Sequence, residues 1–336
     1  KLASLKGLPK YQCTRIALFF TLSGPTLFHI TLYSESLYLF LTLFGLIALE
    51  TYVYRPESRP VDEIRFSQFL TIILPLAASA FVRSVGTLSF AYIGYPLLIE
   101  AIQKYLKTKK ISAAAPSVLR ILLALVLFIT PTVFLFLRTR YLYCNPTAEH
   151  VFDPANFTPP TFCNSKLGFF YGYVQENFWG VRFLGQLRQG NVEVYLLSLN
   201  SLVVILMYFR WVFGSYAVKD VATANLGRVM QGESYKSKEI SYFPDLCILL
   251  IFFRTFYFYA HQNSIERFLC AHPFYFFILN DFQQESTIRC AQNTKNPKKS
   301  QLKHFFDLIL KYLPIGNIAV RMILTPFLFV TNIHPI

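Results

Sequence analysis

The stretch VLRILLALVLFITPTVFLFL, residues Val118–Leu137, indicates what class of fold this chain adopts. It carries a single charge, on Arg120, and it has the length of about 20 residues that an α-helix needs to cross the hydrocarbon core of a bilayer. Pro131 does not argue against a helix, because neighbouring helices can satisfy the backbone groups that proline leaves free. The stretch therefore predicts a transmembrane helix.

The composition extends this prediction to the whole chain. Hydrophobic residues make up 54% of the 336 residues, and charged residues make up 15%, against about 25% in soluble proteins. The net charge of +14 lies mainly in short loops between apolar segments, and no nucleic-acid-binding motif accompanies it. We therefore expect an all-α polytopic membrane protein that contacts membrane lipids and binds no nucleic acid.

Long apolar runs recur along the chain, and no linker separates them into soluble domains. We predict a single membrane domain over residues 1–336, with a cap formed by the loop 138–190. The predicted spans, about nine in number, are 15–33, 35–53, 66–83, 87–103, 118–137, 192–213, 245–261, 268–282 and 304–333.

Positive charge is unevenly distributed between the loops, and this asymmetry orients the chain. Lys and Arg concentrate in the alternate loops 55–65, 104–110, 219–238 and 289–303. Short loops rich in Lys and Arg face the cytoplasm. The intervening loops, including the long loop 138–190, are therefore expected on the lumenal or outer face.

The long loop has two features that suit this side. Asn156 begins an Asn-Phe-Thr glycosylation sequon, which is usable only on the lumenal or outer face. Cys144 and Cys163 bracket the sequon in a compartment that permits disulfides. We predict a disulfide between these cysteines; the alternative is two unrelated thiols.

Several polar residues on this side are candidates for chemistry. Glu35 is either a general base or polar positioning group, or a helix-start acid favoured by the helix dipole. Arg83 and Arg267 lie at predicted span ends, where a cation either binds a lipid phosphate or extends to the headgroups. The chain has no metal-binding motif, so no metal site is predicted.

The segment QENFWGVRFL, Gln175–Leu184, predicts a short amphipathic helix in the lumenal interface. One interpretation is a membrane anchor, with Trp179 among the interfacial aromatic residues. The other is a platform that places Gln175 and Glu176 over a cavity for sugar hydroxyls. The residues alone leave both open.

At this point the chain resembles the GPI mannosyltransferase 2 (PIG-V) family of the endoplasmic reticulum. YGYVQENFWGVRFL (Tyr171–Leu184) is similar to the family stretch that follows a Cys-bounded lumenal loop. YSESL (Tyr33–Leu37) and VRSVG (Val82–Gly86) are similar to two further family motifs, with Val85 in place of the usual Asn. Arg267–Leu269 and the closing FVTNIHPI resemble its C-terminal region.

The resemblance implies a GT-C-like multi-helix bundle in the endoplasmic reticulum membrane, with its active side in the lumen. It implies transfer of mannose from dolichol-phosphate mannose to a GPI precursor glycolipid, through an α-1,6 link and without a cofactor. A small membrane partner subunit is also possible in such a system. The substrate-binding positions implied are Ser34, Arg83, Gln175, Glu176, Trp179 and Arg267.

One departure bears on catalysis. In the family, the acidic residue of a His-Trp-Asp-type motif in an earlier lumenal loop serves as the catalytic base, whereas the tryptophans here are Trp179 and Trp211. The sequence begins at Lys1 rather than at a methionine. We therefore expect that the N-terminal part of the family fold is missing and that the family base lies upstream of Lys1, which leaves Glu35 as the catalytic candidate within this sequence. The alternative functions are a transporter or lipid scramblase, and a non-catalytic subunit of a glycosyltransferase complex.

Overall fold

Helices account for nearly all of the chain that the structure describes. The structure is a computed structural model and describes residues 1–22, 34–54, 61, 63–145 and 161–164, with 173, 230, 243–245, 247–248, 251, 275–277, 280 and 284. No strand occurs within these residues. The α-helices are α1 (Leu2–Leu5), α2 (Lys10–Leu22), α3 (Ser34–Leu49), α4 (Phe66–Val82), α5 (Phe90–Thr108) and α6 (Ile111–Cys144). A π-helical turn, Glu50–Tyr54, extends α3, and 3₁₀ segments cover Ser84–Ser89 and Thr161–Asn164.

Three of the described helical segments are long and apolar enough to cross a membrane. They are Ser36–Tyr54, Ser84–Thr108 and Ile111–Cys144, and the shorter helix Phe66–Val82 is also apolar. The prediction of an all-α membrane protein is thus confirmed. The helix predicted over 118–137 is longer in the structure. It is α6, which continues past both ends of this apolar stretch.

Helices α3 and α4 run antiparallel and pack closely. Near the middle of α3, Gly45 lies so close to α4 that a Cβ atom added there would stand 2.5 Å from Cγ of Leu76. At one end of the pair, the start of α3 meets the residue that follows α4, through a contact between Ser34 and Arg83. Small residues permit this kind of close approach between membrane helices.

Helices α4 and α6 run in the same direction. Near the start of both, the Arg120 guanidinium donates hydrogen bonds to the carbonyl oxygens of Val61 (2.7 Å) and Ile64 (2.8 Å), just before α4. Near the end of α4, the rings of Phe81 and Phe134 lie 6.4 Å apart. The end of α6, like the end of α4, therefore lies at the same end of the bundle as the start of α3.

The core lies between α3, α4 and α5, whereas much of α6 is exposed. Among the residues with no exposed surface are Phe69, Ile72, Leu76 and Ile93. Along α6, large apolar side chains such as Leu119, Val126 and Phe134 are exposed. Because this helix is apolar enough to span a membrane, this face suits contact with lipid.

Helix α2 packs against a distant part of the chain. Going along α2, Gln12 contacts Gln284, Arg15 contacts Asn280, and the Phe20 ring lies 5.3 Å from that of Phe276. The partner numbers fall as the α2 numbers rise, so the two segments are antiparallel. Helix α2 and a late segment of the sequence are therefore neighbours in the bundle.

Candidate functional site

Arg83 and Ser34, two of the predicted substrate-binding residues, meet at one end of the bundle. Arg83 follows α4 in an extended conformation (φ −147°, ψ 136°), and its side chain is half-buried. One guanidinium nitrogen donates a hydrogen bond to the Ser34 hydroxyl at 3.2 Å. A cation is therefore held between the ends of two membrane helices, although the two residues lie 49 positions apart in sequence.

The corner after Arg83 is tightly built against α4. The Arg83 amide donates to the Ser79 carbonyl oxygen at 2.9 Å, and the Gly86 amide donates to the Arg83 carbonyl oxygen at 2.8 Å. A Cβ atom at Gly86 would stand 2.5 Å from the Ala80 nitrogen and from the Ser79 carbonyl group. Glycine is therefore needed here for close backbone approach, and this contact fixes the start of the 3₁₀ segment beside Arg83.

Three buried hydroxyl residues adjoin the Arg83–Ser34 pair, and the sequence analysis missed them. Tyr38 interacts with Thr42, Ser89 and Arg83. Each of the three is at most 3% exposed. The sequence does carry a signal for two of them, because Ser34, Tyr38 and Thr42 are spaced by four and so share one face of α3.

The other predicted site residues fall outside the described part of the structure, in whole or in their side chains. Glu35 lies in the first turn of α3, but its side chain is outside the described part of the structure. The remaining candidates lie outside the described residues altogether: Asn156, Gln175, Glu176, Trp179 and Arg267.

The disulfide lies at the end of α6, and thus at the Arg83 end of the bundle. Cys144 and Cys163 are joined with a Cα–Cα distance of 5.5 Å. Arg140 donates a hydrogen bond to the Cys163 carbonyl oxygen at 3.4 Å. Next to Cys163, the buried Phe162 packs its ring 5.3 Å from that of Tyr173. These contacts fasten the Thr161–Asn164 segment to the end of α6.

A second group of buried charges lies at the opposite end of α3. The Lys6 ammonium is 2.5 Å from a Glu50 carboxylate oxygen, and both side chains are at most 10% exposed. Asp245, which is 6% exposed, interacts with both. Buried charges of opposite sign offset part of each other's desolvation cost. We assign this group to the stability of the fold, because a helix length separates it from Arg83.

Lys1, upstream of which the family base is expected, lies far from Arg83. Lys1 is exposed and immediately precedes α1. Lys6, which follows α1, pairs with Glu50 at the end of α3 opposite to Ser34. Lys1 is therefore not part of the Arg83 site. The expectation of a family base upstream of Lys1 stays a prediction.

The chemistry that Arg83 and its neighbours can perform follows from their types. A guanidinium binds phosphate oxygens by charge-assisted hydrogen bonds, and serine, threonine and tyrosine hydroxyls both donate and accept. The ends of membrane helices lie at the depth of the lipid headgroups, so a site at these ends can contact a headgroup. The arrangement is therefore suited to a lipid-linked phosphate.

Comparison with known proteins gives one match. The family model "Mannosyltransferase (PIG-V)" matches residues 4–336, which is nearly the whole chain. No curated protein and no solved structure matches the chain. The membrane helices, the phosphate-compatible site and this match agree, and the chain belongs to the PIG-V family of mannosyltransferases.

Proposed function

We propose that this mannosyltransferase takes mannose from dolichol-phosphate mannose and adds it, through an α-1,6 link, to the first mannose of a GPI precursor. The reaction would take place on the lumenal face of the endoplasmic reticulum membrane. The observation that supports the proposal is the Arg83–Ser34 pair, which brings a guanidinium to the adjoining ends of two apolar helices. The resemblance of the sequence motifs to the GPI mannosyltransferase 2 (PIG-V) family supports the choice of acceptor.

The reaction needs two groups from the protein: a cation that stabilises the leaving phosphate and a base that accepts the proton of the acceptor hydroxyl. A hydroxyl oxygen of the acceptor mannose attacks the anomeric carbon of the donor, the bond between that carbon and the phosphate oxygen breaks, and dolichol phosphate leaves with the bonding electrons. Arg83 stabilises the negative charge that develops on this phosphate. A carboxylate accepts the proton of the acceptor hydroxyl. Within this chain we propose Glu35 for this role, because it adjoins Ser34 in sequence.

The charge of Arg83 provides the first test. We expect Arg83→Ala to lower mannose transfer by about 100-fold, because the leaving phosphate loses its cation. Arg83→Lys should retain part of the activity, since it keeps the charge but not the planar fork. Transfer would be measured in membranes with radiolabelled dolichol-phosphate mannose and a GPI precursor, and the linkage of the product with a linkage-specific mannosidase.

A matched control removes a cation elsewhere. Lys107 is exposed near the end of α5, and Lys107→Ala should leave transfer unchanged. Wild-type transfer of mannose to another acceptor only, or full activity of Arg83→Ala at equal protein level, would overturn the proposal.

A further inference from the structure

The polar groups near Arg83 continue into the interior of the bundle. Ser34, Tyr38 and Thr42 occupy successive turns on one face of α3. Ser34 is exposed, whereas Tyr38 is 2% exposed and Thr42 is 1% exposed. Polar groups in a membrane helix are costly and usually face the protein interior or a cavity. The row of hydroxyls therefore leads from the end of the helix inward.

The opposite side of this row is formed by the corner between α4 and α5. Arg83 begins the corner, and the buried Ser89 ends it. Both residues interact with Tyr38. The tight packing of Gly86 against the Ser79 backbone fixes this corner in place. The Tyr38 phenol thus lies next to the half-buried Arg83 guanidinium and to the buried hydroxyls of Thr42 and Ser89.

Thr42 supplies an independent observation. Threonines elsewhere in the described helices, such as Thr14, Thr21, Thr71 and Thr130, donate to the carbonyl oxygen four residues earlier. The Thr42 hydroxyl makes no such bond to its own helix, and its polar neighbour is the Tyr38 phenol. Its position beside Tyr38 leaves it available to a bound polar group.

We propose that Tyr38 and Thr42 form an inner subsite for the phosphodiester group of the lipid-linked donor, with Arg83 at its mouth. The two hydroxyls donate to phosphate oxygens that the guanidinium alone does not reach, and Ser89 positions the Tyr38 phenol. This inference rests on the proposed function and adds to it. It assigns the donor, rather than the acceptor, to the region between α3 and the α4–α5 corner.

The test removes each hydroxyl while keeping the shape of the side chain. Tyr38→Phe and Thr42→Val should each raise the KM for dolichol-phosphate mannose by about two- to tenfold, the range expected for one neutral hydrogen bond. The kcat, the KM for the acceptor and the thermal midpoint should stay near wild type. Thr42→Ser restores the hydroxyl and should restore the KM.

Thr71→Val is the matched control, because the Thr71 hydroxyl is exposed and bonds only to its own helix. This variant should change none of these quantities. A rise in acceptor KM instead of donor KM would overturn the assignment. Loss of kcat together with a lower thermal midpoint would show that Tyr38 and Thr42 act through packing alone.

A binding measurement separates this inference from the proposed function. Dolichyl phosphate alone, added to the purified full chain in detergent, should raise the thermal midpoint of wild type and much less that of Tyr38→Phe or Thr42→Val. If this shift occurs but no mannose reaches a GPI precursor, the proposed function fails and the subsite stands. If transfer occurs and the variants bind dolichyl phosphate as wild type does, the subsite fails. An equal shift with phosphatidic acid would overturn the assignment to the isoprenoid donor.

Discussion

Gly86 shows how one residue can position a site without touching the substrate. Its Cα lies against the backbone of α4, and a Cβ atom there would overlap atoms that cannot move without moving the helix. Arg83 is hydrogen-bonded into the same turn. The position of the guanidinium therefore depends on the absence of a side chain three residues later.

We predict that Gly86→Ala lowers both stability and activity. The added methyl group pushes the Ser84–Ser89 segment away from α4, which should cost about 1–3 kcal/mol of unfolding free energy and displace Arg83. Gly94→Ala is the matched control, because the atoms nearest to its Cβ belong to the Phe90 side chain of the same helix and not to the backbone of a neighbouring helix. Thermal unfolding in detergent and mannose transfer would be measured for both. Equal effects of the two variants would contradict the backbone explanation.

The Arg83 region also shows how far sequence reasoning reaches at the scale of a residue. Arg83 and Ser34 were predicted as site residues from motifs, and the structure brings them into contact. Tyr38 and Thr42 were missed because tyrosine and threonine are common in membrane helices and carry no charge. Their place in the site depends on Ser89 and Arg83. These two residues approach from another part of the chain and cannot be placed from the sequence of α3.

At the scale of elements, α2 and the segment 275–284 are joined by buried amides. Gln12 donates to Gln284 at 2.6 Å and accepts from Asn280 at 3.3 Å, and Arg15 donates to the Asn280 side-chain oxygen at 2.8 Å. Gln12 is 4% exposed, and Asn280 has no exposed surface. Hydrogen bonds between membrane helices fix which helices associate. Because the partners are more than 260 positions apart, no local pattern predicts this pairing.

We predict that Gln12 and Asn280 are energetically coupled. Gln12→Leu removes the hydrogen bonds that Gln12 makes with Asn280 and Gln284, and we expect a loss of about 1–3 kcal/mol in unfolding free energy. Adding Asn280→Leu should cost less in this background than in wild type, with a coupling of about 0.6–1.7 kcal/mol. Unfolding would be followed by heat or denaturant in detergent.

The control for this cycle is Thr14→Val. Thr14 is exposed and its hydroxyl bonds only within α2, at 3.1 Å to the Lys10 carbonyl oxygen. It should show no coupling to Asn280→Leu. Strictly additive losses for Gln12 and Asn280 would mean that the amide contact does not contribute to stability.

At the scale of the whole molecule, the described contacts define two ends of a bundle. One end has the start of α3, the end of α4 and the disulfide at the end of α6. The other has the Lys6–Glu50 pair and the basic residues at the end of α5. The loop charges predict that the basic end is cytoplasmic, because short loops rich in Lys and Arg face that side; this orientation stays a prediction. The helix boundaries were less well predicted, since α5 and α6 extend into polar sequence at their ends.

We predict that the two ends of the span Ser84–Thr108, which comprises the 3₁₀ segment and α5, face opposite sides of the membrane. Ser84 and Lys107 are both exposed and lie near opposite ends of the span Ser84–Thr108. In sealed microsomes with the cytoplasmic face outward, a membrane-impermeant maleimide should label Lys107→Cys directly. It should label Ser84→Cys only after detergent is added.

The unsubstituted protein sets the baseline for this labelling, because the sequence also contains Cys13, Cys247, Cys270 and Cys290, of which the first two are free, half-buried thiols. Cys144 and Cys163 are joined to each other and do not contribute. Direct labelling of Ser84→Cys, with protection of Lys107→Cys, would reverse the orientation of the protein.

The length of α6 determines how far its C-terminal end stands above the hydrocarbon layer of the membrane. Its 34 residues form a rod about 51 Å long at about 1.5 Å per residue, whereas the hydrocarbon layer is about 30 Å thick. The seven residues from Arg138 to Cys144 raise the disulfide about 10 Å above that layer, on the side of Arg83. The Thr161–Asn164 segment, which the disulfide joins to the end of α6, therefore stands outside the hydrocarbon layer rather than among the acyl chains.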